Sequence, residues 1–233
     1  LITVLATLPR SGTTITRLVF WHVFGKFSYG PDMGTDLGPW IKFPEAKVIP
    51  KDKHAVTYKK WYASAAQYFF RSHFRLSPKS QCTCKKKFHK VILVVRDGRA
   101  VATSTWHHLR DYHKKKNISL NAVIEGKAGS GSWSVYLNSW ERLLTSNNLL
   151  LLKYEDYINC PEKNIKLIGE FIGCDPIREW SNPFKEYKAL DATSRRFFRK
   201  GEVDSWRSEM SLEQEKRFRQ LNGKWLKKLG YIK

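Results

Sequence analysis

The chain has 233 residues, 42% hydrophobic, 14% aromatic and 27% charged, a composition that buries a core and excludes global disorder. Its longest apolar runs, such as Leu149 to Leu152 and Val91 to Val95, fall far short of the roughly 20 residues a membrane-crossing helix needs. Against 21 Asp and Glu stand 42 Lys and Arg, and the resulting net charge of +21 gathers anions without selecting among nucleic acid, glycan, membrane surface and phosphorylated cofactor.

Leu1 to Thr7 is a β-branched apolar run that predicts a core strand and leaves no room for a signal peptide, with a natural extension before Leu1 left open. A Pro/Ser/Gly turn follows, and then Ile15, Leu18, Val19, His22 and Val23 recur at helical spacing. Gly25 to Pro50 reads as an irregular segment able to cover a pocket, with Tyr29, Trp40 and Phe43 as candidate stacking rings. Trp61 to Phe70 predicts a helix leading into a short strand over Phe69 to Phe74. Cys82 to Lys87 is a basic connection. Cys82, Cys84, Cys160 and Cys174 lack metal-ligand spacing and are expected as thiols, with a disulfide from Cys82 or Cys84 to a distant partner left open. Val91 to Val95 has the continuous apolar character of a strand buried on both faces, and a helix over Arg99 to Tyr112 should follow it. Asp111 to Gly131 is polar and rich in Gly and Lys, the best candidate for a mobile loop, and contains the sequon Asn117-Ile118-Ser119. Beyond it come a helix over Trp133 to Leu144, a buried strand over Asn148 to Tyr154, a helix over Glu162 to Ile172 closed by Gly173, and a basic helix over Leu212 to Leu229 stopped by Gly230. Strands alternating with helices predict one α/β domain over 1–233, with a mostly parallel central β-sheet flanked by helices and ligands at the carboxyl ends of its strands.

Leu8-Pro9-Arg10-Ser11-Gly12-Thr13-Thr14 lies between the first strand and the first helix. A turn of small residues there aims backbone N–H groups, hydroxyls and the positive end of a helix at one point, which is a phosphate cradle. It lacks the Gly-Lys-Ser/Thr ending of nucleotide-triphosphate loops. Arg96 ends a buried strand, and Ser104 lies two turns into the next helix, so the two can converge on a second phosphate; the plainer reading is a capped helix with Arg96 paired to Asp97.

Together these stretches resemble the sulfotransferases that use 3'-phosphoadenosine 5'-phosphosulfate (PAPS). Pro9 to Thr14 matches the family's phosphosulfate loop, the pair Arg96 and Ser104 its 3'-phosphate pair, Arg199-Lys200-Gly201 with Trp206 its RKG signature, and Tyr154-Glu155-Asp156 its strand-end Tyr-Glu-Asp. The likeness is nearest to the cytosolic-type branch, whose Lys-Thr-His pattern appears as Arg71-Ser72-His73. The resemblance implies a P-loop-kinase-like fold and in-line transfer of a sulfuryl group from PAPS, as co-substrate and without a metal, to an acceptor hydroxyl or amine. His73 would be the general base, since an ordinary imidazole accepts a proton near neutral pH. Arg10 would stabilise the charge on the leaving oxygen with help from Arg71, and Arg10, Ser11, Gly12, Thr13 and Thr14 would hold the phosphosulfate. Arg96, Ser104, Arg199, Lys200 and Gly201 would bind the 3'-phosphate, Tyr154 would lie near the adenine, and Phe184 could stack on it.

Departures from that pattern are Arg10 where cytosolic members carry Lys, a loop spelled as in protein-tyrosine sulfotransferases, Ile15 in place of a stacking Trp, and Asp204-Ser205 before Trp206. Two other classes stay open: a P-loop nucleotide kinase-like phosphotransferase, and a basic nucleic-acid or glycan-binding module resting on Lys85 to Lys87, Lys114 to Lys116 and Lys224 to Lys228. The expected partner is a small alcohol or phenol, or an anionic glycan or peptide, rather than nucleic acid. The expected compartment is the cytoplasm, or a secretory lumen if an anchor precedes Leu1.

Overall fold

The computed structural model of the chain describes residues 2–29, 68–73, 75–76, 90–181 and 202–233. Its strands are β1 (Ile2–Thr7), β2 (Ser28–Tyr29), β3 (Tyr68–Ser72), β4 (Lys90–Val95) and β5 (Leu149–Lys153). They form one five-stranded sheet in the order β2-β3-β1-β4-β5, and every pairing is parallel. β1 is buried along its whole length and β4 along all but Lys90, because each has a neighbouring strand on both sides and helices over both faces. Burying each such Val or Ile side chain stabilises by roughly 1.5–3 kcal/mol, which is why these two runs were the plainest strands in the sequence.

The helices are α1 (Thr13–Phe24), α2 (Gly98–His107), α3 (Leu120–Ile124), α4 (Trp133–Trp140), α5 (Tyr154–Asn159), α6 (Pro161–Ile172) and α7 (Leu212–Lys228). A π-helical turn, His108–Tyr112, continues α2, and α4 runs into a 3-10 turn, Glu141–Leu143. Two separate apolar clusters show the layering. One joins Val19, Phe20 and Val23 of α1 and Ile168 of α6 to Leu5 and Ile92. The other joins Val101 of α2, Trp133 and Tyr136 of α4, and Phe218 and Trp225 of α7 to Val4 and Leu93. The result is a single α/β domain, helix over sheet over helix.

Several sequence expectations are corrected. The stretch Asp111 to Gly131 is not one open loop: Ser119 caps α3, whose Leu120, Val123 and Ile124 are buried, and Trp106 Nε1 donates to the Ile118 carbonyl at 2.9 Å. Five residues are too few to show a helical period, so the element was invisible in the sequence. Residues 68–70 are strand rather than helix, since Tyr68, Phe69 and Phe70 pair with Ile2, Thr3 and Val4. The β5 run is less buried than its composition implied, with Leu151 36% exposed, because β5 lies at the sheet edge. Tyr154 starts α5 rather than ending the strand. Asp97 caps α2 and pairs with Arg99, not with Arg96. Among the described residues Cys160 is a free thiol, as expected, while Cys82 and Cys84 lie outside them.

Candidate functional site

In an all-parallel sheet the carboxyl ends of the strands share one edge, so the segments following Thr7, Ser72, Val95 and Lys153 are brought together there. β1 lies between β3 and β4, so its following loop has Arg71 and His73 on one side and Arg96 on the other.

That loop is built as an anion cradle. Gly12 is the N-cap of α1 at φ 109°, with no side chain closing the helix end and no acidic residue in the first turn. The amides of that turn and the positive helix end are therefore left for a ligand. Ser11 is buried and its N–H donates to the Leu8 carbonyl at 3.0 Å, while Thr16 Oγ1 donates to the Gly12 carbonyl at 3.0 Å, so the turn is pinned at both ends. A Cβ added at Gly12 would meet Tyr154 Cδ2 at 2.9 Å. The buried Tyr154 ring is thus the floor of the cradle. Thr13 Oγ1 lies 2.7 Å from Thr7 Oγ1, and Thr14 is half-buried at the second position of α1.

Arg10 stands in the left-handed region at φ 73°, a conformation that costs a non-glycine residue about 1–2 kcal/mol and is enriched at functional sites. This aims its side chain across the cradle, where Nε donates to Ser104 Oγ at 3.1 Å. The Arg10 carbonyl accepts from Arg96 Nη1 at 3.3 Å. Arg96 also donates from Nη2 to the Glu202 carbonyl at 3.0 Å, and its guanidinium sits 4.2 Å over the Tyr154 ring. Its Nε is buried and has no hydrogen-bond partner among the described residues. A buried cationic N–H that the described residues leave unsatisfied, next to the helix amides, suits an anionic ligand.

His73 closes the other side. Arg71 Nη1 lies 2.7 Å from His73 Nε2, and arginine can only donate, so Nε2 carries the lone pair. Nδ1 therefore carries the proton and donates to the Thr7 carbonyl at 2.8 Å, with Thr7 Oγ1 3.1 Å away. Burial, with Arg71 and Arg17 nearby, outweighs that bond and pushes the imidazole down from 6.5 to about 4. His73 is consequently neutral at physiological pH, with the electron pair of Nε2 accepting from Arg71. Arg17 is itself buried and held on β2, donating from Nε to Ser28 Oγ at 2.7 Å and from Nη2 to the Ser28 carbonyl at 2.8 Å.

The structure thus brings Arg10, Ser11, Gly12, Thr13, Thr14, Arg71, His73, Arg96, Ser104 and Tyr154 to one edge of the sheet. Phe184, Arg199, Lys200 and Gly201 lie outside the described residues, although Glu202, which follows them in sequence, touches Arg96. Trp40 and Phe43 also lie outside, and Tyr29 packs on Phe70 with ring centroids 5.9 Å apart. Ile15 is buried in the core and has no stacking face to offer. Sequence reasoning missed Thr7, whose only signal was its place at the end of β1, and Arg17, whose spacing reads as an ordinary helix position. It named Glu155 within the Tyr-Glu-Asp motif and Asp97 as a partner for Arg96, but not the meeting of Asp97 with Glu155, which comes through the fold rather than along the chain.

A model of the sulfotransferase domain family matches residues 3–230. The chain belongs to this family. It is therefore an enzyme of the sulfotransferase class. Among curated relatives, Cytosolic sulfotransferase 11 of Arabidopsis thaliana is 24% identical over 92% of this chain and 70% of its own length. Sulfotransferase 1A1 of Mus musculus is 27% identical over 64% of this chain and 59% of its own. Of solved structures, mouse sulfotransferase SULT7A1 complexed with PAP superposes with a TM-score of 0.70 at 20% identity, covering 97% of this chain and 84% of that one. Retinol dehydratase in complex with androsterone and inactive cofactor PAP gives 0.64 at 20% identity, over 97% and 80%. At such identities these structures establish that this sulfotransferase shares their fold.

Proposed function

We propose that this sulfotransferase moves the sulfuryl group of PAPS to an acceptor hydroxyl or amine and releases adenosine 3',5'-bisphosphate (PAP), with His73 as general base. The observation that carries the reading is the convergence of Arg10, Arg96 and Ser104 on one anion cradle, with neutral His73 held on the strand beside it. PAPS supplies an activated sulfuryl group with a phosphate as leaving group. The open first turn of α1 and the side chains of Ser11, Thr13 and Thr14 suit the 5'-phosphosulfate. Arg10, at the cradle, would offset the negative charge that grows on the bridging oxygen as the S–O bond breaks. His73 Nε2 takes the acceptor proton as the new O–S or N–S bond forms, and Arg71, already on Nε2, moves to the sulfuryl oxygens as the acceptor replaces it. Arg96 and Ser104, with Arg199, Lys200 and Gly201, hold the 3'-phosphate; Tyr154 floors the nucleotide site, and Phe184 stacks on the adenine. These residues suffice to neutralise the transferred group, so the proposal needs no metal.

The name of the plant relative and the absence of any sufficiently long apolar helix among the described residues support a cytoplasmic location. The acceptor is a small alcohol or phenol, or an anionic glycan or peptide drawn by the +21 charge. Salt separates the two, since an anionic acceptor's KM rises steeply with ionic strength and a neutral one's does not.

Calorimetric titration with PAP beside magnesium-ATP tests the site. Tight binding of the first and weak binding of the second is expected. The reverse preference would restore the kinase-like reading.

A further inference from the structure

Behind Arg96 and Tyr154 lies a closed ring of hydrogen bonds joining three distant parts of the chain. The Asp97 N–H donates to Glu155 Oε1 at 2.9 Å. The hydroxyl of Tyr231, beyond α7, donates to Glu155 Oε2 at 3.0 Å. Arg99 Nη2 donates to the Tyr231 carbonyl at 3.1 Å, and Arg99 returns to the Asp97 carboxylate from Nη2 at 2.7 Å and Nε at 3.0 Å. Asp97 and Arg99 are buried, and the Arg99 guanidinium is fixed further by Glu215 at 2.9 Å and by the Trp206 ring 4.0 Å away.

We infer that Tyr231 is a positioning residue for the nucleotide site, acting through Glu155 to set Arg96 over Tyr154 and so to select ligands that carry a 3'-phosphate. The two residues that the ring holds by their neighbours are the two that form the cation-on-ring contact: Arg96 precedes Asp97, and Tyr154 precedes Glu155. The bond from the Asp97 amide to Glu155 is the single direct tie between the β4–α2 junction and the β5–α5 junction within the ring. The Tyr231 hydroxyl holds the second oxygen of Glu155 and so fixes the plane of the carboxylate that accepts the Asp97 amide. Burial pushes its carboxyl up, and the Asp97 amide and the Tyr231 hydroxyl are among the groups that oppose this. Without the Tyr231 hydroxyl the carboxylate is free to turn, the tie slackens, and the Arg96 guanidinium loses its fixed place relative to the cradle. Tyr231 bonds Glu155 and Arg99 rather than any residue of the cradle, which distinguishes it from the binding residues.

The inference rests on the reading of Arg96 as a 3'-phosphate ligand, and the test separates the two. Calorimetric affinities for PAP and for adenosine 5'-monophosphate are compared in the intact protein and in Tyr231→Phe, Arg96→Ala, Glu155→Gln and Glu155→Ala. Because only part of the free energy of one hydrogen bond to a charged group reaches the nucleotide site, Tyr231→Phe should bind PAP roughly five- to tenfold more weakly, with adenosine 5'-monophosphate changed by less than about twofold. Glu155→Gln keeps an oxygen for the Asp97 amide, and its NH2 can donate to a rotated Tyr231 hydroxyl, so it should retain the preference for PAP that Glu155→Ala loses. A preference unchanged in Tyr231→Phe but lost in Arg96→Ala overturns the role of Tyr231 and leaves the phosphate reading standing. A preference intact in Arg96→Ala overturns both. Equal behaviour of Glu155→Gln and Glu155→Ala also overturns the inference, and does so even if Tyr231→Phe fails to fold.

Discussion

The chemistry of the site is set by which atom of each side chain is left available. Thr7 and Arg71 together fix the His73 tautomer, so the electron pair faces the same direction as the Arg71 guanidinium. With Nδ1 engaged by a backbone carbonyl, His73→Asn cannot reproduce the base and should lower kcat by about 100-fold or more, while PAP affinity stays near that of the parent. Turnover that survives the substitution would remove His73 as base. Arg10 differs in kind, since it supplies charge rather than proton transfer. Arg10→Ala should cut kcat by roughly 100- to 1,000-fold, as loss of an oxyanion donor does, with a smaller loss of nucleotide affinity, checked by steady-state kinetics beside calorimetry. The sequence displayed Arg10 and His73 but not Thr7, because a hydroxyl residue at a strand end has no distinctive spacing.

Elements place these atoms through their ends. The cradle depends on Gly12 on two counts, a φ of 109° and a Cβ position 2.9 Å from the Tyr154 ring. Gly12→Ala should therefore weaken PAP binding by about five- to thirtyfold, in line with the 1–2 kcal/mol cost of left-handed backbone, and calorimetry reads this directly. An affinity equal to that of the parent would show that the turn tolerates a side chain and is not built around the glycine. α7 begins with a capping box in which the Ser211 side chain accepts from the Gln214 amide while the Gln214 side chain accepts from the Ser211 amide. Ser211→Ala should cost about 1 kcal/mol, which corresponds to a Tm lower by about 2–4 °C for a chain of this size. Its kcat should be unchanged, so a melt and a rate together separate stability from chemistry. α1, α2 and α7 were legible because each runs long enough to show an apolar face between clear start and stop signals. α3 was not, since its five residues become helical by packing beneath α2 and the turn that follows it.

Across the whole molecule, charge and burial act together on pH stability. His73 is pushed down to about 4 chiefly by burial, and so is His108, where Arg10 and His113 add to it. Between 4 and the ordinary 6.5 the folded protein binds fewer protons at these rings than the unfolded chain does. The stabilising contribution is thus complete above 6.5 and is lost as pH falls through that window toward 4. Thermal melts should show a Tm that drops over this range, and His73→Asn should flatten part of the drop. A profile of identical slope in the variant would contradict the assignment. The charge of +21 adds self-repulsion that grows as histidines and carboxylates take protons, so added salt should moderate the acid loss.

The amino-acid order alone determined the strand-loop-helix at the start, the buried β4 run and the small-residue cradle, because all three are local: period, turn chemistry and composition within about ten residues. It also showed Arg71-Ser72-His73 and Arg96 with Ser104 as candidates. Only the tertiary structure decided that β1 lies between β3 and β4, so that a loop at residue 10 receives Ser104 and Arg96 while Thr7 holds His73 from 66 positions away. It likewise decided the ring from Asp97 through Glu155 to Tyr231, whose members have no common spacing. The physical reason is the same for both: parallel strands need crossovers, and crossovers bring distant residues to one edge of the sheet without leaving a period in the sequence.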